Sequence, residues 1–305
     1  MNRYSLLTNE QVFGEKKIDM ITALGAKCAA TDYAIMTGCE ISDEIHLEED
    51  SSLQGRTGRY FLCSPGGYGD VCVVSPEGDR RMAYANASGG VRPVLPCDAP
   101  EEICERVTKD ISGFAIAEHG AFPQYAADRD IARELESECS AGRLRRTGKT
   151  FHGGHEEYIH KGRKYIRADY VSGTPRQLSD GRRHKTGDAV WIEVSPVRWL
   201  WDERAGLLVS RVILAGGIGF CNETYYDGVF ENTGIWRYLN TSLCEDLKPS
   251  RVRELTEKEQ EAYEAQLRQA EKWRNPYGLT FGQVSEEDII RGATESDVAV
   301  FLHGP

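Results

Sequence analysis

The sequence predicts an α+β fold in which strands dominate. Two stretches, residues 59–95 and 189–220, are rich in β-branched and aromatic residues and are cut by turns containing Gly and Pro. A third, residues 143–185, spaces short basic runs with Gly, Ser, Thr and Pro in the manner of hairpins and loops. Helical periodicity is found outside these stretches, in short pieces and in residues 257–274. With 305 residues, 40% of them hydrophobic, the chain can bury the core of one large or two ordinary domains.

Taken in order, a first short helix starts at Thr31 or Asp32 as N-cap and stops at Gly38, since glycine supplies the left-handed position after a helix. Residues 40–50 (EISDEIHLEED) hold six acids and no base and read as a loop. YFLCS, DVCVVS, RRMAYA and VRPVL then form a meander broken by SPGGYG, PEGD and NASGG. Pro96 and Pro100 mark the change to EEICERVTKDI, expected as a helix. A further helix spans about residues 128–140, where Ile131, Ala132, Leu135 and Cys139 recur at helical spacing and Gly142 ends the pattern. From Ala189, WIEVSPVRWLW and LLVSRVIL read as strands joined by the turn DERAG. NTGIWRYLNTSL predicts a short helix with Ile235, Tyr238 and Leu239 inward. Residues 257–274 give the clearest helix of all, with Thr256 and Glu259 as capping box, a Tyr263, Leu267 and Ala270 stripe, and Asn275-Pro276 as its stop. The helical piece SEEDIIRG and the strand VAVFL complete the tail.

The charge pattern limits the partners. A net charge of −11, from 37 basic and 48 acidic residues, argues against coating nucleic acid or an anionic membrane by bulk electrostatics. Basic residues concentrate in residues 143–185, with twelve Lys/Arg against four Asp/Glu, so the chain is electrically polarised. Arg145, Arg146, Arg163 and Lys164 are the cations there that would hold RNA or DNA. No apolar run is long enough to span a membrane, and the N-terminus has neither the apolar region nor the cleavage site of a secretory signal. Nine cysteines, odd in number and never spaced as CxxC, read as reduced, buried thiols rather than a disulfide scaffold. Together these features predict a cytoplasmic protein without a membrane partner.

Few residues suggest catalysis. His152, His155 and His160 in HGGHEEYIH are weak candidates for a metal site, with Glu156 or Glu157 helping, because imidazole and carboxylate suit zinc or iron. The spacing has no fixed helical register, and no metal or other cofactor is expected. Neither LAGGIGF nor SPGGYG fits a phosphate-cradling glycine loop, and no GxSxG is present. The loop tyrosines Tyr68, Tyr84, Tyr225 and Tyr226 are candidates for partner contact, since tyrosine combines contact area with a polar tip. The competing interpretation is ordinary half-buried loop aromatics.

Seven runs carry a family resemblance. YFLCSP (60–65), VCVVSPEG (71–78) and GGVRPVL (89–95) are followed by GAFPQ (120–124), SPVRWLW (195–201), LLVSRVIL (207–214) and IWRYLN (235–240). In these runs the chain resembles a C-type-lectin-like domain family of unknown function, related to the formylglycine-generating-enzyme fold and found in bacterial and phage proteins. That family's first half starts Gly-aromatic-Pro-Gln, then has a Trp strand, an LLxS strand and a short helix ending in LN. Its second half has an aromatic strand ending in Ser-Pro, a strand, a Gly turn and a closing Gly-Val-Arg-Pro strand. Here the half that normally comes last lies first.

The resemblance therefore implies a circularly permuted C-type-lectin-like domain over residues 1–248, with 20–97 as the family's second half and 118–248 as its first. Residues 143–185 are a basic insertion, and 249–305 form a C-terminal helix and tail. Permutation is physically reasonable where termini lie close together. Oxygen-activating relatives of the fold use paired cysteines or a three-histidine set; the matched runs show neither, and Cys63 and Cys72, on neighbouring strands, read as packing residues.

The function implied is that of a non-enzymatic binding protein of a phage or mobile element. Its loops SPGGYGD, NASGG and CNETYYDG would be presented to a protein partner inside the cell. An alternative is an inhibitor or accessory factor of a nucleic-acid-handling host-defence complex, acting through the charge-polarised surface. A second is a metal-dependent enzyme centred on the three histidines. A second copy of the chain is a further candidate partner, as a homo-oligomer.

Overall fold

One fourteen-residue strand, Ala189–Asp202, organises the larger of the two main sheets. In this computed structural model, which describes residues 3–46, 55–109 and 113–250, that strand pairs antiparallel along one edge with Ala115–Ala126, from Ile192 opposite Ala126 to Trp201 opposite Ala115. Its other edge is divided. Arg163–Asp169 takes residues 189–194 and Leu207–Ser210 takes residues 199–202. The division falls around Pro196, which has no N–H to give to a ladder. Gln124 fastens this irregular stretch, with its buried side-chain amide donating toward the carbonyls of Ser195 and Pro196 and the Ser195 hydroxyl at 2.9–3.0 Å.

The hairpins of the basic segment, Arg145–Phe151 and His155–His160, extend this sheet beyond Arg163–Asp169. Val94–Pro96 closes the other end, and Arg106–Lys109 adds to the free edge of Ala115–Ala126. The second sheet has the order Ala215–Gly219, Ser88–Val91, Tyr60–Pro65, Val71–Val74, Arg80–Ala83. A ribbon joins the two sheets. Ser88–Val91 pairs with Ala215–Gly219 in one, and Val94–Pro96 pairs with Leu207–Ser210 in the other.

Arg92 sits at this crossing and is almost wholly buried. Its Nε donates to the Ser210 carbonyl at 3.0 Å and one Nη to the Tyr60 hydroxyl at 3.2 Å, and the guanidinium lies over the Tyr60 ring. The Arg of GGVRPVL thus ties one sheet to the other; a buried guanidinium is tolerated because its donors are engaged. The main core, including Phe61, Phe122, Trp199 and Phe220, lies among the sheets and short helices. A smaller cluster of Ala127, Leu135, Tyr165 and Trp191 forms under the helix Arg129–Ser140.

The architecture is a mixed α+β fold, mostly strands with few helices. The helix Asp32–Met36 is capped by the Thr31 hydroxyl, and Gly38 follows at φ +114°. Arg129–Ser140 is capped by Asp128. Gly234–Tyr238 turns Ile235 and Tyr238 inward as expected. Three expectations are corrected. The helix opening at Thr31 is not the first, because short helices Asn9–Val12, capped by Thr8, and Asp19–Leu24 precede it. EEICERVTKDI is not a helix: after a single 3-10 turn at Pro100–Glu102, Arg106–Lys109 is a strand, because the exposed edge of Ala115–Ala126 satisfies its backbone and β-branched Val107 and Thr108 suit a pleat. The acidic stretch is not all loop, since Ile41–His46 pairs with Gly55–Gly58. The predicted elements beyond residue 250 lie outside the described residues. Among the described residues no helix is long and apolar enough to cross a membrane.

Candidate functional site

Three loops far apart in sequence are held together by backbone hydrogen bonds. Tyr226 N–H donates to the Gly69 carbonyl at 2.8 Å, joining loop 221–229 to loop 66–70, while Cys221 and Phe220 donate to Ala85 and Ala87 at 2.8 and 3.1 Å. The 66–70 loop closes on itself, Asp70 donating to Gly67 and Gly66 to Asp70. Its two central residues, Tyr68 and Gly69, have φ of 59° and 86°, the left-handed values of a primed hairpin turn. Glycine takes that conformation freely. Tyrosine does so at some cost, and here it does so with its ring fully exposed.

Tyr84 is 75% exposed and Tyr225 64%. The Tyr225 ring rests on the backbone of Gly69, and exposed Met82 reaches under Gly66 and Gly67, its Sδ 3.3 Å from the Gly67 nitrogen. In RRMAYA the sequence signals a strand but not which of its residues stay exposed; the position of Met82 on the edge strand of the sheet is what exposes it. Tyr226 departs from expectation. It is 2% exposed, packs its ring 5.0 Å from Phe220, and donates its hydroxyl to the Cys63 carbonyl at 2.7 Å. Burial pushes its phenol far above the ordinary range. Of the adjacent pair, Tyr225 faces out and Tyr226 anchors the loop.

The four cations chosen from the basic segment do not form one patch. Register places Arg146 opposite Tyr158, which lies opposite Tyr165; Arg145 stands opposite Ile159, which lies opposite Lys164. Because side chains alternate between faces, Arg146 and Arg163 project to one side of the sheet and Arg145 and Lys164 to the other. Arg145 is also buried. Arg146 meets Glu156 at 3.4 Å and Arg163 meets Glu193 at 3.2 Å. Much of the remaining positive charge is answered by the helix Arg129–Ser140. Glu134 pairs with Lys161 and His160, Glu136 with Arg167, and Glu138 with Arg143. Hydrogen bonds from Lys161, Arg167 and Arg143 hold these three carboxyls below their ordinary value.

The three histidines also separate. The His152 ring packs against Tyr238, while its backbone N–H donates to the buried Asp246 carboxylate; His155 packs edge-on to Tyr33; His160 lies 3.1 Å from Glu134. Burial lowers the His155 pKa. Among the described residues no three His, Cys, Asp or Glu side chains are grouped to hold a metal ion. Cys63 and Cys72 bond to the Leu6 and Pro65 carbonyls, and all nine cysteines are free, five of them only half-buried.

No family model, curated protein or solved structure matches this chain. Its site is therefore read from its own geometry. The tyrosine loops combine exposed aromatic area, a pinned backbone and polar phenol tips, which is the chemistry of contact with another macromolecule. Their rigidity matters because a loop already ordered loses little entropy on binding.

Proposed function

We propose that this protein is a non-enzymatic binding protein of a phage or mobile element, engaging a protein partner through Tyr68, Tyr84 and Tyr225 on a permuted C-type-lectin-like core. The observation that carries the reading is the convergence of three sequence-distant loops, joined by backbone hydrogen bonds, with all three tyrosines outward. Exposed aromatics on ordered loops mark interaction sites more often than chance surface. The pairing of residues 88–96 with 207–219 supports reading the two half-domains as closing within one chain. Nine free thiols support action in a reducing compartment.

The test is retention of host proteins from lysate at low and high salt, with nuclease-treated controls, comparing the full chain with a Tyr68→Ala, Tyr84→Ala, Tyr225→Ala variant. The reading expects a stoichiometric protein that survives salt and nuclease and is lost from the variant. Retention unchanged in the variant, or retention of nucleic acid alone at low salt, overturns it.

A further inference from the structure

The helix Arg129–Ser140, the outer face of the large sheet and the hairpin Arg176–Gln177/Arg183–His184 enclose a cavity of about 500 Å³. Its size is that of a small-molecule site. Four arginines reach it from three separate elements: Arg129 and Arg133 from the helix, Arg167 from the sheet, and Arg182 from the hairpin. This groove is distinct from the tyrosine loops, and its assignment stands without the reading above.

The two carboxylates facing the cavity each have a side-chain partner. Glu136 takes both a 3.1 Å and a 3.3 Å hydrogen bond from Arg167 and accepts the Trp191 indole N–H at 2.9 Å. Asp180 is paired with His184 at 2.9 Å, both side chains being about 95% buried. Three cations remain. Arg129 spends its hydrogen bonds on the neutral carbonyls of Asp180 and Gly181, which fixes the guanidinium but leaves its charge. Arg133 has an exposed ion pair with Asp130 in its own helical turn, a type of contact worth little in water. The Arg182 side chain meets no hydrogen-bonding or ion-pair partner among the described residues.

A concave site with an excess of guanidinium forks suits a dianionic group with several acceptor oxygens, and phosphate fits that description better than a single carboxylate. We infer that this groove binds a phosphate-bearing small molecule, with Arg129, Arg133 and Arg182 on the phosphate and the Asp180–His184 pair holding the hairpin wall. The same phosphate chemistry occurs along a nucleic-acid backbone, and the experiment separates the two sources.

Calorimetric titration of the full-length protein with inorganic pyrophosphate, with 5′-AMP and with a single-stranded oligonucleotide tests it, alongside Arg182→Ala, Arg133→Ala and a control Arg204→Ala on the opposite arm of the sheet. The proposal expects saturable binding of pyrophosphate or AMP, weakened about tenfold by each of the first two substitutions and unchanged by the third. Circular dichroism of each variant confirms folding, and Arg182→Lys, which keeps charge but not the fork, retains part of the affinity. Absence of binding, binding indifferent to Arg133 and Arg182, or preference for the oligonucleotide with a salt dependence implying many phosphates overturns the proposal.

Discussion

The Tyr225 ring lies so close to the backbone of Gly69 that a Cβ at residue 69 would stand 2.2 Å from the ring carbon Cδ2. Gly69 also has φ +86°, where a side chain is strained whatever the space. Gly69→Ala must therefore strain the turn and push Tyr225 off it. The expected loss is about 1–2 kcal/mol from the left-handed backbone and the repacking together, measured by urea titration. Partner retention should fall as far as it does in Tyr225→Ala. Retention at the level of the unsubstituted chain would show that the position of Tyr225 is irrelevant to binding.

Tyr68 and Tyr226 should separate binding from stability. Tyr68 is fully exposed at φ 59°, so Tyr68→Gly relieves backbone strain and should raise stability by about 0.5–1 kcal/mol while weakening partner binding. Tyr226→Phe removes the hydroxyl from the Cys63 carbonyl and should cost about 1 kcal/mol. Thermal melts of the two variants should move in opposite senses, and retention should fall for Tyr68→Gly alone. A Tyr68→Gly variant that loses stability would mean that the ring packs on something.

How much of this was legible in the residues follows from the range of the forces involved. Caps and turns are local, so Thr31, Asp128 and Gly38 marked their helix ends correctly. The strand runs were legible because their alternation and turn residues lie within a few positions of each other. EEICERVTKDI misleads because the strand there is made by the partner edge of Ala115–Ala126, which no local pattern displays. The tyrosine loops were found by residue type, but type alone could not say that Tyr225 faces out and Tyr226 in. Counting charges showed a basic segment without showing that sheet register splits Arg145 and Lys164 from Arg146 and Arg163, or that a neighbouring helix supplies glutamates. The arginine groove was invisible for the same reason, since Arg129, Arg167 and Arg182 meet only through the fold.

Glu134, Glu136 and Glu138 provide a pH test of the helix on the basic sheet. Their carboxyls are held below the ordinary 4.5 chiefly by hydrogen bonds from Lys161, Arg167 and Arg143. A depressed folded pKa contributes stability that is fully present above about pH 4.5 and is lost as pH falls through the folded value. These groups are largely solvated, so each pair is worth about 0.5 kcal/mol after screening. The triple Gln variant should thus be about 1–2 kcal/mol less stable at pH 7. The gap should narrow in acid and in high salt. A gap that persists at pH 3 would place the effect in packing rather than charge.

Asp32 titrates in the opposite sense. Its carboxylate is almost wholly buried and accepts from Ala126 N–H at 2.8 Å, Ser179 N–H at 3.1 Å and the Ser179 hydroxyl, joining the helix Asp32–Met36 to the large sheet and to the hairpin that walls the groove. Burial raises its pKa above the ordinary 3.8, against the lowering effect of those hydrogen bonds. Between the unfolded and the folded pKa the native state holds the extra proton, so stability falls as pH rises through that window and the cost is complete above it. Asp32→Asn has no such titration, and the unsubstituted chain should lose stability relative to it from about pH 4 upward. Asp32→Ala, which strands two backbone N–H groups, should cost about 2–4 kcal/mol near pH 4, and the gap should narrow as pH rises and the unsubstituted chain loses stability. It should also weaken pyrophosphate binding, because Ser179 no longer fixes the hairpin carrying Arg182. Urea titrations from pH 4 to 8 measure the first two effects, and a stability difference between the unsubstituted chain and Asp32→Asn that runs the other way with pH would mean the carboxylate is stabilised in its charged form.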